Sequence, residues 1–503
     1  MPIVLIFLLL ASTMNLPWPA SQVGSSALGS ALATLGLVLV PVSMSLMLAL
    51  RVIRASAESG MQQRLATRLY SGWRNWVFYV NVVVCLVAIF VFGWGQVARS
   101  LGTDPHSHRL YPYAELLVPL PYFVILGLNW VMYWLAERTL ARQRNASATF
   151  PTLVGFWIQQ ARQFLLMVML PIFLTVSHQT VTRLLPYTAS QAWFQFSLAL
   201  APIVFLLFFP LLLRVLLRWK PMPPGPRRTR FEATLKRMKI SYANVLVMPT
   251  QGLMANAFVI GFVPWARYFV FTDAILDAMD DREIDAVLGH EMGHVRHWHL
   301  PMYLVILTLS SVAVSGSLAM LAVLLRVHGP EWLLPWLNTT MLSLSLLVVM
   351  GLYLFVVFGW LSRACERQAD LFGAQAVSCL DPHCESHDNK TQLSEAVLCP
   401  TGLKGMALAL ERVGLLNGMD SIGTAMSLRK RIGSWLRAWQ HGPLNSRIAY
   451  LYRVIRRPML AVQHHRKVRR MVLFLIFSLI LIAALGLLMS EEDFELLFNT
   501  LGE

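Results

Sequence analysis

The chain has 503 residues, 56% hydrophobic and 14% charged, against about 45–50% and about 25% in a typical soluble domain. That composition excludes a soluble globular fold and a disordered chain, and five cysteines in this length set no disulfide framework. The 42 Lys and Arg exceed the 26 Asp and Glu by 16, which in a membrane protein reports orientation before it reports any partner.

Runs of about 20 apolar residues mark helices able to cross a hydrocarbon core of about 30 Å. Eight lie at Ala27 to Leu50, Val77 to Val97, Leu116 to Leu135, Phe164 to Val181, Phe194 to Leu217, Met302 to Leu325, Met341 to Leu361 and Met471 to Met489. A ninth, Ile3 to Met14, is short and has no basic residue before it, and it is counted as a first span. The fold class expected is therefore an α-helical integral membrane protein of eight or nine spans.

Basic residues crowd alternate loops. Arg51 to Arg74, Arg138 to Arg162 and Arg214 to Lys239 carry most of them, while the intervening loops hold only Arg99 and Arg109, then Arg183, then Arg326. The basic loops belong in the cytoplasm. This places both long polar segments, Arg218 to Pro301 and Ser362 to Arg470, on the cytoplasmic side, and the acidic tail Glu491 to Glu503 outside. Attraction to anionic inner-leaflet lipid is a secondary consequence, and no nucleic-acid partner is expected. The division that follows is an N-terminal membrane region at 1–217, a first polar segment at 218–301, a two-span hairpin at 302–361, a second polar segment at 362–470, and a final span with its tail at 471–503.

The chemistry sits in the first polar segment, where the chain reads DDREIDAVLGHEMGHVRHWH from Asp280. Asp280 or Asp281 can cap a helix whose apolar residues Ile284, Val287, Leu288 and Met292 recur at helical spacing. His290 and His294 are four apart, hence on one helical face, where two imidazoles can share one zinc. Glu291 stands next to them, placed to act as general base on a metal-bound water. A catalytic zinc needs a third protein ligand and an open position. SRACERQAD, Ser362 to Asp370, offers Glu366 as that ligand and Asp370, four residues on, as an acceptor for a ligand histidine. The hairpin between the segments is antiparallel, so it returns Ser362 to the membrane face that His299 left. His297 and His299 do not continue the face of His290 and His294 and are read as interfacial histidines. Val377 to Cys399, with Cys379, Cys384, Cys399, His383 and His387, is read as a polar insertion without the C-x-x-C spacing of a zinc knuckle.

The order NAFVIGF (Asn256 to Phe262), DDREIDAVLGHEMGH, a two-span hairpin and SRACERQAD resembles the membrane gluzincin metallopeptidases, the family of HtpX and the type-one CAAX prenyl endoproteases. The resemblance covers Ser241 to Asp370 and, more weakly, His441 to Tyr452. It implies an α+β zinc metallopeptidase domain on the cytoplasmic side of the membrane helices. His290, His294 and Glu366 would hold one Zn2+ per chain, Glu291 would be the catalytic base and Asp370 the orienting acid. It also implies that Asn256, Ala257 and Phe258 begin an edge strand along which an extended polypeptide substrate lies. Independently, that segment and Arg267 to Phe271, beyond Pro264, read as a hairpin. HGPLNSRIAYL resembles the family's histidine-proline stretch, so His441 or Arg447 can stabilise an oxyanion, although Gly442 separates His441 from Pro443. The family carries fewer spans before the zinc helix, which leaves Met1 to Leu217 without a counterpart. The expected activity is hydrolysis of membrane-associated or misfolded proteins at the bacterial inner membrane. The alternatives are a regulatory protease that cleaves a signalling protein, for which the external loops are short, a CAAX-type processing protease, or a non-peptidase scaffold.

Overall fold

A computed structural model of the chain describes residues 26–57, 61–107, 109–143, 151–164, 168–250, 255–330, 332, 339–378, 398–417 and 440–487. The run Ile3 to Met14, the acidic tail, and the insertion except for its two ends lie outside the described residues. The described residues are mostly helical and divide into two compact units, Met1–Arg218 and Trp219–Glu503.

Among the described residues, four helices are long and apolar enough to cross a membrane: Ala27–Ser56, Gly72–Ile89, His299–Arg326 and Val348–Val377, with Ile203–Leu216 shorter. The chain is an integral membrane protein. The other expected runs fall largely on the helices Leu120–Gln143, Leu170–Leu184, Ala192–Leu216 and Met459–Leu487. Glu137 and Arg138 in the first of these, and His464 to Arg470 in the last, shorten the apolar stretch.

In the first unit the helices Ala27–Ala57, Met61–Phe90 and Leu120–Gln143 pack together around Leu48, Val52, Val77, Trp130 and Tyr133. Leu28, Leu32, Leu35 and Leu39 form an exposed apolar stripe at helical spacing, as a lipid-facing surface requires. The interior is not wholly apolar. Asn129 Nδ2 donates to Asn81 Oδ1 at 3.2 Å, and Glu137, buried, accepts from the Tyr70 hydroxyl and from Arg74 Nη1 at 2.9 Å.

The second unit is built on a four-stranded sheet of β1 (Lys220–Pro221), β2 (Asn244–Met248), β3 (Ala257–Ile260) and β4 (Tyr268–Thr272), in the order β1-β2-β4-β3. β2 and β4 are parallel, while β3 pairs antiparallel with β4, Phe258 facing Val270. Every residue of β4 is buried, and its run of aromatic and β-branched side chains suits a central strand. β3 is an edge. Gly261, at a φ of +106°, closes the turn after it, where a Cβ would stand 2.1 Å from the Ala266 carbonyl oxygen.

Three of the helices on this core position the site. The motif helix, Asp281–Arg296, is started by a full capping box: the Asp280 side chain accepts from the Glu283 amide and the Glu283 side chain accepts from that of Asp280. The ligand helix, Gly359–Val377, continues the second hairpin helix, Thr339–Tyr353, through a π-helical turn at Leu354–Phe358. The helix Pro400–Leu416 packs on both, with Met406 and Leu410 in the same core as Ile284, Leu288, Met292 and Phe372. Glycine brings the first two together. A Cβ on Gly293 would meet the Ala369 Cα at 2.8 Å, and one on Gly289 the Gly373 Cα at 2.9 Å. With no side chains in the way, the two backbones approach closely enough for residues about 70 positions apart to share one site. The hairpin helix His299–His328, the ligand helix and the last helix, Met459–Leu487, meet around Ile306, Leu361, Cys365 and Met471.

Candidate metal centre

The motif helix turns His290 and His294 toward the ligand helix, with Ile284, Leu288 and Met292 buried on its other side. The Nε2 atoms of the two histidines lie 3.3 Å apart. Glu366 brings Oε2 to 3.5 Å from His290 Nε2 and Oε1 to 3.8 Å from His294 Nε2. All three ligand atoms fall within 4.8 Å of one another.

This donor set fits a cation better than it fits itself. Neutral imidazole offers one lone pair, and two that face each other at this distance are satisfied by a shared positive centre. Burial holds the His294 imidazole well below the ordinary histidine pKa, keeping it neutral as a metal ligand must be. Glu366 Oε2 is buried and takes no hydrogen bond; Arg447 Nη1 stands 3.0 Å from it but out of line. The Oε2 lone pairs are thus left free of hydrogen bonds beside the two imidazole nitrogens, as a ligand oxygen requires.

The surrounding groups divide between the two histidines. His290 Nδ1 lies 3.0 Å from Asp370 Oδ1, the contact expected of an orienting acid. Asp370 is fully buried and is held by Arg447, whose Nε donates to Oδ2 at 2.8 Å and whose Nη2 donates to Oδ1. The guanidinium therefore faces Asp370 and Glu366 from inside. His441 approaches Glu366 from the open side, its Nδ1 2.7 Å from Oε1 and its side chain 70% exposed. The glycine that interrupts the expected histidine-proline pair has a reason: Gly442 takes a φ of +74°, the left-handed turn that leads from His441 into Pro443, the N-cap of the helix Leu444–Arg456.

Glu291 is buried with its Oε2 accepting the Val259 amide of β3 at 3.0 Å. Burial, reinforced by the Glu366 charge and opposed by His290, pushes its carboxyl up to about 7. Because the Val259 amide points at the motif helix, the alternation of an antiparallel pair leaves Ala257 and Val259 with outward main-chain groups. Phe258 and Ile260 pair inward to β4. Asn256 is exposed just before the strand, its amide donating to Thr272 Oγ1. A small open recess lies beside His294, lined by Val259, Phe262, Arg267, Val295, Trp298 and Leu300.

The sequence-expected residues His290, Glu291, His294, Glu366, Asp370, His441 and Arg447 thus come together, with β3 alongside. His299, read in the sequence as an interfacial histidine, and Gln368, which the sequence left unmarked, are also part of the centre. His299 is 1% exposed and contacts His294 rather than standing at an interface. Nothing in their spacing marks them, because their partners lie on other elements.

Residues 227–387 match the model of peptidase family M48. The chain is 25% identical over 333 residues to an Arabidopsis thaliana protein named CAAX prenyl protease 1 homolog, a match that covers 61% of this chain and 76% of that one. It is 26% identical to the protease HtpX of Nitrosococcus oceani over 215 residues, 39% of this chain and 60% of the relative. The crystal structure of S. mikatae Ste24p aligns with a TM-score of 0.45 at 14% identity, covering 84% of this chain and 98% of that one. By the family match and these relatives, the chain is a membrane metallopeptidase carrying a peptidase family M48 domain.

Proposed function

We propose that the chain is a zinc-dependent endopeptidase of the bacterial inner membrane, with eight or nine spans and its site at the cytoplasmic face. It cuts membrane-associated or misfolded polypeptides. The observation that carries this reading is the convergence of His290 Nε2, His294 Nε2 and the Glu366 carboxylate on one point. The crowding of Lys and Arg in alternate loops supports the orientation.

Zn2+ held by His290, His294 and Glu366 would supply Lewis acidity toward the scissile carbonyl and a water of pKa near 7. The remaining tasks belong to the chain. An extended peptide adds to β3 through the outward groups of Ala257 and the carbonyl of Val259, whose amide is held by Glu291, with Asn256 and Phe258 at the start of the same rail. The scissile carbonyl is delivered beside Glu291, which the Val259 amide holds by one oxygen. The other oxygen takes the proton of the attacking water and passes it to the leaving amine. His441, on the exposed side of Glu366, donates to the developing oxyanion. Arg447 fixes Asp370, and Asp370 fixes the ring of His290.

The test compares the proteomes of membranes that carry the wild type or Glu291→Ala. Full-length membrane-associated or misfolded proteins should accumulate in the variant. Identical peptide profiles would overturn it. Accumulation confined to lipidated C-terminal peptides would favour the second reading, a CAAX-type processing protease, which the 76% coverage of the Arabidopsis relative supports.

A further inference from the structure

His290 is oriented by a carboxylate, and no carboxylate plays that part for His294. After the motif helix ends at Arg296, Trp298 takes a left-handed φ of 55° and the hairpin helix starts at His299. That reversal folds the His299 ring back beneath the centre. Its Nδ1 lies 3.0 Å from His294 Nδ1, and its Nε2 lies 3.2 Å from Gln368 Oε1. Gln368 then reaches His465 Nδ1, on the last helix, at 2.8 Å and His297 Nδ1 at 3.3 Å, both through Nε2. His297 and His465 stack at a centroid separation of 5.2 Å.

These contacts can carry protons in one of two directions. A neutral imidazole has one N–H and one lone pair. If His294 keeps its Nε2 lone pair for a metal, its proton sits on Nδ1 and is donated to His299 Nδ1. His299 must then carry its own proton on Nε2 and donate it to an oxygen, which Gln368 Oε1 supplies. The Gln368 amide group donates onward to His465 and His297, which accept through Nδ1. With the Gln368 amide reversed, His299 would accept from it, donate to His294 through Nδ1, and force the His294 proton onto Nε2, where it blocks coordination. The amide orientation that donates to His465 and His297 is the one compatible with a metal.

Resting on the reading of His290, His294 and Glu366 as metal ligands, we propose that His299 and Gln368 are positioning residues that hold His294 in its metal-binding tautomer. The chain of hydrogen bonds ties that ligand to the first residue of the hairpin and, through His465, to the last membrane helix. His294 is thus oriented by neutral groups drawn from three helices, where His290 relies on a single buried acid.

The experiment measures Zn2+ affinity of the full-length protein in detergent by competition with a chromophoric chelator. The visible absorption of the Co2+-substituted protein serves as a signature of ligand geometry. His299→Phe keeps a buried ring but removes the acceptor, and is expected to weaken Zn2+ binding about 10–100-fold, the range found when such outer partners are lost. His299→Asn places an amide oxygen near the former Nδ1 and is expected to recover most of that loss. An independent pair is Gln368→Met, which releases the tautomer and weakens binding, and Gln368→Glu, which can only accept from His299 and retains it. Unchanged affinity and Co2+ spectrum in both His299→Phe and Gln368→Met would overturn the proposal. So would losses in the Asn and Glu variants as large as those in their partners. If His299→Phe does not fold, the Gln368 pair decides alone. A wild type that binds no Zn2+ would instead overturn the metal-ligand reading on which the proposal rests.

Discussion

Two buried acids in this molecule differ in what else surrounds them. Glu137, in the first unit, receives a proton donor from Tyr70 and a guanidinium from Arg74, and the Arg74 guanidinium also lies over the Tyr70 and Tyr133 rings. Its charge is answered within the bundle. Glu366, in the second unit, also has a guanidinium nearby, that of Arg447 at 3.0 Å, but in addition faces the Nε2 atoms of His290 and His294. Burial of a carboxylate alone therefore marks nothing. Both acids have a guanidinium beside them; what sets Glu366 apart is that two imidazole nitrogens converge on the point its carboxylate faces, which makes that point a site for a cation.

The comparison can be broken most decisively at Glu291. Glu291→Gln keeps the shape of the side chain but removes the base, so peptide cleavage should fall by about 10²- to 10⁴-fold, the usual share of general acid–base catalysis. Cleavage at the wild-type rate would remove Glu291 from the mechanism.

At Glu137 the effect should be on stability. Glu137→Leu leaves a half-exposed Arg74 and a Tyr70 hydroxyl without their acceptor and should cost about 1–3 kcal/mol, the range for losing a hydrogen bond to a charged group. Thermal unfolding in detergent reads this, and adding Arg74→Met should recover much of the loss. Zn2+ content should stay at the wild-type level throughout, since the acid serves packing.

Gly293→Val tests the close approach that assembles the centre. A side chain there meets the Ala369 backbone, and overpacking of this kind costs about 1–3 kcal/mol or more. It should also separate His294 from Glu366, so both the unfolding temperature and Zn2+ affinity should drop. An unchanged affinity would mean that the helices do not need this contact.

The smallest expected effect is on the pH profile. Glu291 works deprotonated, and its carboxyl is raised to about 7; a bound cation can only lower it. The acid limb of kcat/KM should therefore show a pKa at or below about 7, with activity falling about tenfold per pH unit beneath it. The residual activity of Glu291→Gln should lack that limb.

How much of this was legible in the sequence depended on whether a partner lay on the same helix. His290, Glu291 and His294, like Glu366 and Asp370, sit at intervals of one and four, which a single helix converts into a shared face. β3 and β4 were legible too, as two short apolar runs with a glycine and a proline between them. His299 and Gln368 were not, because the contacts that define them cross 69 and 97 positions in sequence. Gly289 and Gly293 gave only the absence of a side chain, whose meaning appears once Ala369 and Gly373 lie against them. Gly442, a departure from the family pattern in the sequence, proves to be a left-handed turn that brings His441 to Glu366. The apolar runs marked membrane helices, but helix length and charge within a run set how many satisfy the requirement for a span among the described residues.

The central claim is that His290, His294 and Glu366 hold a metal that Glu291 uses but does not bind. Elemental analysis of the purified full-length protein addresses it directly. The account predicts one zinc per chain in the wild type and in Glu291→Gln, and far less than one in Glu366→Ala. Equal zinc in Glu366→Ala and the wild type would contradict it.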